Sequence, residues 1–363
     1  MNVIGKSRLY LTALPLAALV AGCSDGTLSS FGGRDNAVAK VAPSPAQVVR
    51  ALPLWLLARS ERSSLSALAP AATRKGIYVT AFSSGVIEGF TMAGKGPRCQ
   101  TYMGHQSGMN DIAVDPRGDL IVPLGGRESV SVYRGPSMCG AEVGSFSDPY
   151  GQPSNAASMN ALKGTIAVAN IVGPGSSPGN IAICTLKDGC TKELTNSNVI
   201  GYAGGIALAK NGDCWLTSDL FYSYYISPPT MTYWKGCTGS GEAVTGYQNS
   251  AYGSISIDSH GYLVSLDLGS YYQNSQLWVY KGCNPQCKLV GGPFPLQGRE
   301  VFGGLNEQSN EYGVTVYEGD SYPNTMTDIY EYTPTSIKYK FSFPNDLGGY
   351  DPEGFAFSPS PEL

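Results

Sequence analysis

The sequence predicts an all-β fold, a six-bladed β-propeller of four-stranded blades, and three observations predict it. A short alternating strand recurs about every fifty residues. Each copy is preceded by an asparagine or a glycine, at Asn110, Asn155, Gly204, Gly253, Gly303 and Gly354. A glycine-containing turn and a second apolar strand follow, which is a hairpin signal. A third strand carries an aromatic residue at one register, as at Phe90 and Tyr133. Together these features indicate propeller blades.

The two ends of the repeat predict how the ring closes. The segment Gly354-Phe-Ala-Phe-Ser358 is a first strand with no second strand after it, whereas Ile77-Tyr-Val-Thr80 is a second strand with no first. Pairing between them shares one blade between the two ends and leaves no long sheet edge unpaired. We therefore expect one propeller domain over residues 73–363, closed by its terminal strands.

The first residues predict a targeting segment. Lys6 and Arg8 precede an apolar stretch that ends in Val20-Ala-Gly-Cys23, which is the pattern of a signal peptide. A membrane-spanning helix is the alternative, but the apolar stretch is short for a span of about 20 residues. The ending Val-Ala-Gly-Cys resembles the bacterial lipobox. That resemblance implies a signal peptide over residues 1–22 and lipidation at Cys23.

Two further expectations concern location. Ser24 stands where an inner-membrane retention signal of the lipobox family has Asp, so the resemblance implies the outer membrane of a bacterial cell envelope, facing the periplasm or the exterior. An acyl anchor holds a protein to a membrane without spanning it. Residues 23–72 are rich in Ala, Ser, Pro and Arg and predict a flexible tether.

Charge argues against nucleic acid as a partner. The chain has 24 Lys and Arg residues against 28 Asp and Glu residues, and its formal net charge is −4. The segment before Cys23 contains two of the basic residues and no acidic one, so the remainder is more acidic still. Nucleic-acid binding has a basic patch as its electrostatic footprint. We expect instead a membrane contact through the lipid anchor and a small-molecule, glycan or protein ligand.

The cysteines predict disulfides. The chain has 9 cysteines, and an even number remains beyond Cys23, which favours disulfides in an exported protein. Spacing within single blades predicts three bridges, Cys283–Cys287, Cys184–Cys190 and Cys214–Cys237. The pairing of Cys99 and Cys139 stays open.

The candidate binding site is the mouth, defined as the face where first strands begin and second strands end. Acidic and carboxamide side chains end several second strands, and tyrosines crowd the loops that follow. Tyrosine offers flat apolar area plus a hydroxyl, a mixture found at binding surfaces, although packing of loops over the mouth is an equal alternative. In blades 4 to 6 the position at the start of the first strand, close to the propeller axis, is glycine, which predicts room for a ligand. The predicted ligand-binding residues are Asn170, Asp219, Asp267, Glu318, Tyr222, Tyr224, Tyr271, Tyr322 and His105.

The starts of three first strands carry a resemblance to a known family. Asp351-Pro-Glu353-Gly354, Asn110-Asp111 and Ser154-Asn155-Ala156 resemble the Glu-Gly, Asn-Asp and Asn-Gly elements of the NHL-like propellers of the gluconolactonase and senescence-marker type. The resemblance implies one divalent cation such as Ca²⁺, held by Glu353, Asn110 and Asn155. In the alternative interpretation these residues are structural: the two asparagines cap turns, and Glu353 orders the closing strand.

Two functions follow from these features. The first is an outer-membrane-anchored, extracytoplasmic propeller that acts as a ligand- or protein-binding module. The alternative is a metal-dependent hydrolase of lactones or esters, as the resemblance implies. Gly204 stands where that family has its proposed acid/base Asp, although Asp219 belongs to the same blade. The sequence therefore favours the binding module, and the fold alone does not decide between them.

Overall fold

The computed structural model describes residues 76–81, 85–96, 99–102, 111–114, 118–133, 142–160, 164–220, 229–249, 253–268, 274–306, 310–317, 325–345, 347 and 352–358. Contacts divide the chain into residues 1–67 and 68–363, and every described residue belongs to the second unit. The described residues form 24 strands and three single-turn 3-10 segments. Among them no helix is long and apolar enough to span a membrane.

The strands form six antiparallel sheets of four strands each within the described part of the chain. Blade 1 contains β1 (Gly76–Ala81), β2 (Val86–Thr91), β3 (Cys99–Tyr102) and β24 (Pro352–Ser358). Blade 2 contains β4 (Ala113–Val114), β5 (Leu120–Leu124), β6 (Ser129–Tyr133) and β7 (Glu142–Ser147). Blade 3 contains β8 (Gln152–Asn160), β9 (Thr165–Val172), β10 (Asn180–Thr185) and β11 (Gly189–Leu194).

The remaining three blades repeat this order. Blade 4 contains β12 (Tyr202–Leu208), β13 (Cys214–Asp219), β14 (Thr230–Trp234) and β15 (Glu242–Ala243). Blade 5 contains β16 (Ile255–Ile257), β17 (Tyr262–Asp267), β18 (Gln276–Lys281) and β19 (Lys288–Pro295). Blade 6 contains β20 (Arg299–Asn306), β21 (Glu311–Tyr317), β22 (Thr325–Thr333) and β23 (Ser336–Asn345).

The ring closes as the sequence predicts. β24 pairs antiparallel with β1, so that Ile77 lies opposite Phe357 and Thr80 lies opposite Gly354. The first strands of successive blades contact one another in the order β4, β8, β12, β16, β20, β24 and back to β4. The chain is therefore a closed six-bladed β-propeller, and its last strand is part of the ring.

The core consists of hydrophobic clusters between neighbouring blades. Side chains alternate between the two faces of a strand, so each second strand contributes hydrophobic side chains to the clusters on both sides of its blade. In β9, Ile166 and Val168 face blade 2, whereas Ala167 and Ala169 face blade 4. One such cluster lies at each of the six seams formed by described residues. Each blade thus depends on its neighbours for burial.

Four first strands begin earlier than the repeat suggests, and one of them is β24, whose register against β1 shifts between Gly354 and Pro352. Asn155, Gly204 and Gly303 lie within β8, β12 and β20, because the pairing register shifts beside each of them. A β-bulge inserts extra residues into one strand, bends it and increases its twist. These bulges lie at the innermost strands and on the mouth side, where they change the direction of the following side chains.

Three disulfides link described cysteines, and they are the three that spacing predicts. Cys184 pairs with Cys190, Cys214 with Cys237, and Cys283 with Cys287. Cys23, Cys139 and the side chain of Cys99 lie outside the described part of the structure. Disulfides persist in oxidising compartments, so these three suggest an extracytoplasmic protein.

Candidate functional site

The structure describes three predicted residues of the mouth. Asp219 and Asp267 are the last residues of β13 and β17, and Asn170 lies near the end of β9, so all three occupy the same rim on blades 4, 5 and 3. Asn155 and Glu353 are described by their strand positions alone. The other predicted site residues lie outside the described residues: Glu318, Tyr222, Tyr224, Tyr271, Tyr322, His105 and Asn110.

Asn170 anchors a buried chain of polar side chains across blade 3. Its amide nitrogen donates to Oδ1 of Asn180 at 2.8 Å. The amide nitrogen of Asn180 in turn donates to Glu193 Oε1 and to the carbonyl oxygen of Tyr150, both at 2.7 Å. Asn170 Oδ1 is buried and has no hydrogen-bond partner among the described residues. This oxygen is therefore a buried acceptor whose hydrogen-bonding capacity is unused among the described residues.

Asp148 joins the same region, although the sequence did not identify it. It follows β7 on the mouth side, and its Oδ1 accepts the backbone N–H of Tyr150 at 2.9 Å. Burial raises the pKa of Asp148 to about 6, while the Tyr150 N–H and the Asn170 side chain oppose that rise. Asn249 follows β15 and Asn345 ends β23 at the corresponding places of blades 4 and 6, and their varying distances from the next first strand hid the pattern.

Asp219 presents a further unpartnered acceptor, besides Asn170 Oδ1 and Asp148 Oδ2. It is only 2% exposed, and its Oδ1 has no hydrogen-bond partner in the described part of the chain. Burial raises the pKa of Asp219, against the effect of the backbone N–H of Leu220. A buried carboxylate oxygen without a partner loses its solvation. Asp219 is therefore a group that a donor or a cation would stabilise.

Two glycines bring the ends of β9 and β13 together. The backbone N–H of Gly179 donates to the carbonyl oxygen of Gly201 at 2.6 Å. A Cβ on Gly179 would lie 2.6 Å from the carbonyl oxygen of Asn170, and one on Gly201 would lie 2.7 Å from that of Asp219. Only glycine permits this approach. The backbones of Asn170 and Asp219 are therefore linked across the two blades through Gly179 and Gly201, with no gap between them.

On blade 5 the corresponding space is filled by a packed polar network. Tyr280 donates to Oδ1 of Asn249 at 2.9 Å, and the Asn249 amide donates to Ser265 Oγ at 2.8 Å. The Tyr247 hydroxyl lies 3.0 Å from the same Ser265 oxygen. Burial, with the charge of Asp267 as a smaller contribution, raises the pKa of Tyr247 and Tyr280. These two tyrosines stabilise the rim instead of facing a ligand.

Asp111 lies at the start of β4, at the first-strand side of the mouth. Its Oδ1 accepts the backbone N–H of Ile112 at 2.8 Å and that of Phe355, in β24, at 3.2 Å. Burial raises the pKa of Asp111 to about 8, and these two hydrogen bonds oppose the rise. The sequence motif Asn110-Asp111 predicts Asn110 as a cation ligand. In the structure the adjacent Asp111 is the residue whose pKa is raised.

The expectation that glycines leave room at the mouth is wrong for Gly253 and Gly303, in blades 5 and 6. A Cβ on Gly253 would lie 2.3 Å from the carbonyl oxygen of Leu266. A Cβ on Gly303 would lie 2.7 Å from the Tyr312 hydroxyl. Glycine is needed there because innermost strands and their neighbours pack closely, so these positions give a ligand no space.

The predicted cation site is not tested by the described residues. They contain no group of three or more His, Cys, Asp or Glu side chains placed to hold a metal ion. The side chains of Glu353, Asn110 and Asn155, on which the resemblance rests, lie outside that description. The cation therefore stays a prediction.

Comparisons with known proteins support the fold. No family model matches the chain, and no curated protein sequence matches it. A chain in the crystal structure of a nidogen/laminin complex is 11% identical, with a TM-score of 0.56 over 79% of this chain and 100% of that one. A protein of unknown function from Bacteroides caccae is also 11% identical, with a TM-score of 0.56 over 78% and 99%. Both are similar in fold. At such identity they carry no argument about function.

A gluconolactonase from Xanthomonas campestris is also among the similar structures. It is 12% identical, with a TM-score of 0.47 over 68% of this chain and 84% of that one. This similarity is too low to bear on activity or on metal ligands. The neighbours therefore have mixed functions, and the case for function depends on the residues of the mouth.

Proposed function

We propose that this protein is an extracytoplasmic binding module that receives its ligand at the mouth of the propeller, over blades 3 and 4. The observation that carries the proposal is the pair of buried, unpartnered acceptors, Asn170 Oδ1 and Asp219 Oδ1, on adjacent blades. A buried acceptor without a partner costs about 1–3 kcal/mol. A ligand that supplies donors to both oxygens recovers part of that free energy.

The chemistry of the rim defines the ligand class. Both oxygens are acceptors, and Asp148 adds a second buried carboxyl beside Asn170. Such a surface favours a small molecule, glycan or protein segment that presents hydroxyl or ammonium donors, or a hard cation such as Ca²⁺. It disfavours an anionic ligand, because no described Lys or Arg is paired with either carboxyl.

The proposed location follows from two features. The three disulfides support export to an oxidising compartment. The lipobox resemblance around Cys23 supports an acyl anchor at the bacterial outer membrane. Replacing Cys23 with Ser tests the anchor, because the variant should be released from the membrane fraction. A variant that is cleaved normally and stays wholly with membranes would refute lipidation.

One observation favours a hydrolase as the second candidate. Burial raises the pKa of Asp111 to about 8, next to the proposed cation ligand Asn110. A raised pKa is a property of carboxyl groups that act as general acids. In this candidate Glu353, Asn110 and Asn155 hold the cation, and Asp111 transfers the proton. This candidate function requires that the protein hydrolyse a lactone or ester, and that the hydrolysis depend on both the cation and Asp111.

A turnover assay separates the two functions. Wild type, Glu353→Gln and Asp111→Asn are assayed with a lactone and ester panel in the presence and absence of Ca²⁺. The binding module predicts ligand binding without turnover in all three proteins. Cation-dependent turnover that both substitutions abolish would replace the binding module with the hydrolase.

A further inference from the structure

A cleft lies at the seam between blades 3 and 4. Its volume is about 530 Å³, which is within the range of small-molecule sites. Three segments line it: residues 177–179 between β9 and β10, residues 195–197 between β11 and β12, and Ser240 between β14 and β15. None of these lining residues is charged or aromatic. The cleft does not include Asn170 or Asp219, although its lining residue Gly179 packs against the Asn170 backbone.

Hydrogen bonds hold the walls of the cleft in place. The Asn196 amide nitrogen donates to the carbonyl oxygen of Ser240, which ties blade 3 to blade 4. Oδ1 of Asn196 accepts the backbone N–H of Asn198 at 2.8 Å. The Thr230 hydroxyl donates to the carbonyl oxygen of Asn198 at 2.7 Å. Since the wall is already ordered, a ligand bears little of the entropy cost of ordering it.

Free hydroxyl groups surround the cleft. Their side chains are exposed, and no described group hydrogen-bonds to their hydroxyls; they belong to Ser177, Thr195, Ser197 and Ser240. Each hydroxyl both donates and accepts. The lining therefore matches a ligand whose own groups have the same dual character.

A buried indole N–H lies behind one wall. Trp234 is fully buried, and its Nε1 has no hydrogen-bond partner among the described residues. Gly241, next to Ser240, packs on the indole so closely that a Cβ there would lie 2.6 Å from Nε1. A side chain at this position would displace the indole.

We propose that this cleft is a second binding site and that its ligand is an uncharged saccharide. Sugar hydroxyls can pair with the lining hydroxyls as donors or as acceptors. A charged ligand would lose solvation without an opposite charge in the lining. An apolar ligand would displace water from the lining hydroxyls without replacing its hydrogen bonds. The size of the cleft fits a mono- or disaccharide.

The test is saturation-transfer NMR on the full chain with maltose, cellobiose and N,N′-diacetylchitobiose. We expect at least one sugar to bind, with the millimolar affinity of a small uncharged ligand. Ser197→Trp fills the cleft from an exposed position and should weaken that binding by about tenfold or more. Ser259→Trp, at an exposed turn outside the cleft, is the matched control and should bind as wild type does.

Further variants separate this site from the mouth. Asp219→Asn should keep the sugar signal, because Asp219 does not line the cleft. Three outcomes would overturn the proposal: no signal with any of the three sugars, an equal signal in Ser197→Trp and wild type, or loss of the signal in Asp219→Asn alone. Circular dichroism of each variant confirms that the propeller is folded.

Discussion

The carboxyl Oδ1 of Asp111 accepts the backbone N–H of Phe355 at 3.2 Å, across 244 positions of the sequence. Asp111 precedes the first strand of blade 2, and Phe355 lies in the strand that closes blade 1. The hydrogen bond therefore joins blade 2 to the innermost strand of blade 1, the strand that closes the ring. Because this carboxyl is buried, its protonation and the stability of the ring are coupled.

The first prediction is a pH dependence of stability caused by Asp111. Its pKa is about 8 in the fold against an ordinary value of 3.8, so between these values the folded state retains a proton that the unfolded state releases. The free energy of unfolding of wild type should then fall as pH rises through this window. Asp111→Asn keeps an acceptor for Phe355 but does not titrate. Urea unfolding at several pH values should show the variant gaining stability relative to wild type towards pH 8; a constant difference would contradict the raised pKa.

The second prediction concerns the closing strand. A chain that ends at Glu353 lacks most of β24, so β1 loses one of its two partner strands and the seam cluster around Phe355 and Phe357 loses apolar area. We expect this chain to have no cooperative unfolding transition. A chain that ends at Ser358 keeps the whole of β24 and is the matched control, for which we expect a transition. Cooperative unfolding of the shorter chain would show that the ring does not need its last strand.

The third prediction tests close packing at the same seam. A Cβ on Gly313 would lie 2.1 Å from the ring of Phe355, whereas a Cβ on Gly144 would meet nothing within 4 Å. Overpacking of this kind costs about 1–3 kcal/mol, so Gly313→Ala should destabilise the protein by that amount. Gly144→Ala should change stability by about 0.5 kcal/mol or less. Equal urea midpoints for the two variants would contradict the described seam.

The fourth prediction compares two disulfides of different span. Cys214–Cys237 closes a separation of 23 residues and Cys283–Cys287 a separation of 4. In the chain-entropy account, the longer loop contributes about 3 kcal/mol and the shorter about 2 kcal/mol. Replacing each pair with Ala should therefore destabilise the protein more at Cys214–Cys237. Both variants keep the Cys184–Cys190 bridge and are compared by denaturant unfolding. A larger loss of stability on removal of Cys283–Cys287 would show that local packing dominates.

The fold was predictable because a repeat presents the same local pattern many times. The strand of Gly354 to Ser358 without a successor, and that of Ile77 to Thr80 without a predecessor, were enough to predict closure. Spacing likewise predicted Cys214–Cys237, since both residues lie at one edge of a blade. The bulges at Asn155, Gly204 and Gly303 were not predictable, because a register shift depends on the neighbouring strand as well as on the strand itself.

The candidate site was less predictable than the fold. Strand ends placed Asn170, Asp219 and Asp267 on one rim, but the sequence could not show which of them lacks partners. That distinction depends on tertiary neighbours: Asp267 lies beside the network of Tyr247 and Tyr280, whereas Asp219 Oδ1 has no partner among the described residues. The glycines at the starts of first strands predicted space for a ligand, because the sequence does not show how closely the innermost strands pack against their neighbours.

The most direct test of the binding module is calorimetric titration of wild type, Asp219→Asn and Asp188→Asn with Ca²⁺ and with a panel of amines and glycans. Asp188 is an exposed acid in the turn between β10 and β11, and its substitution controls for the loss of one charge. We predict that at least one probe binds wild type and Asp188→Asn equally and binds Asp219→Asn about tenfold more weakly or worse. Equal binding of every bound probe by Asp219→Asn and wild type, or no binding of any probe to wild type, would contradict the account.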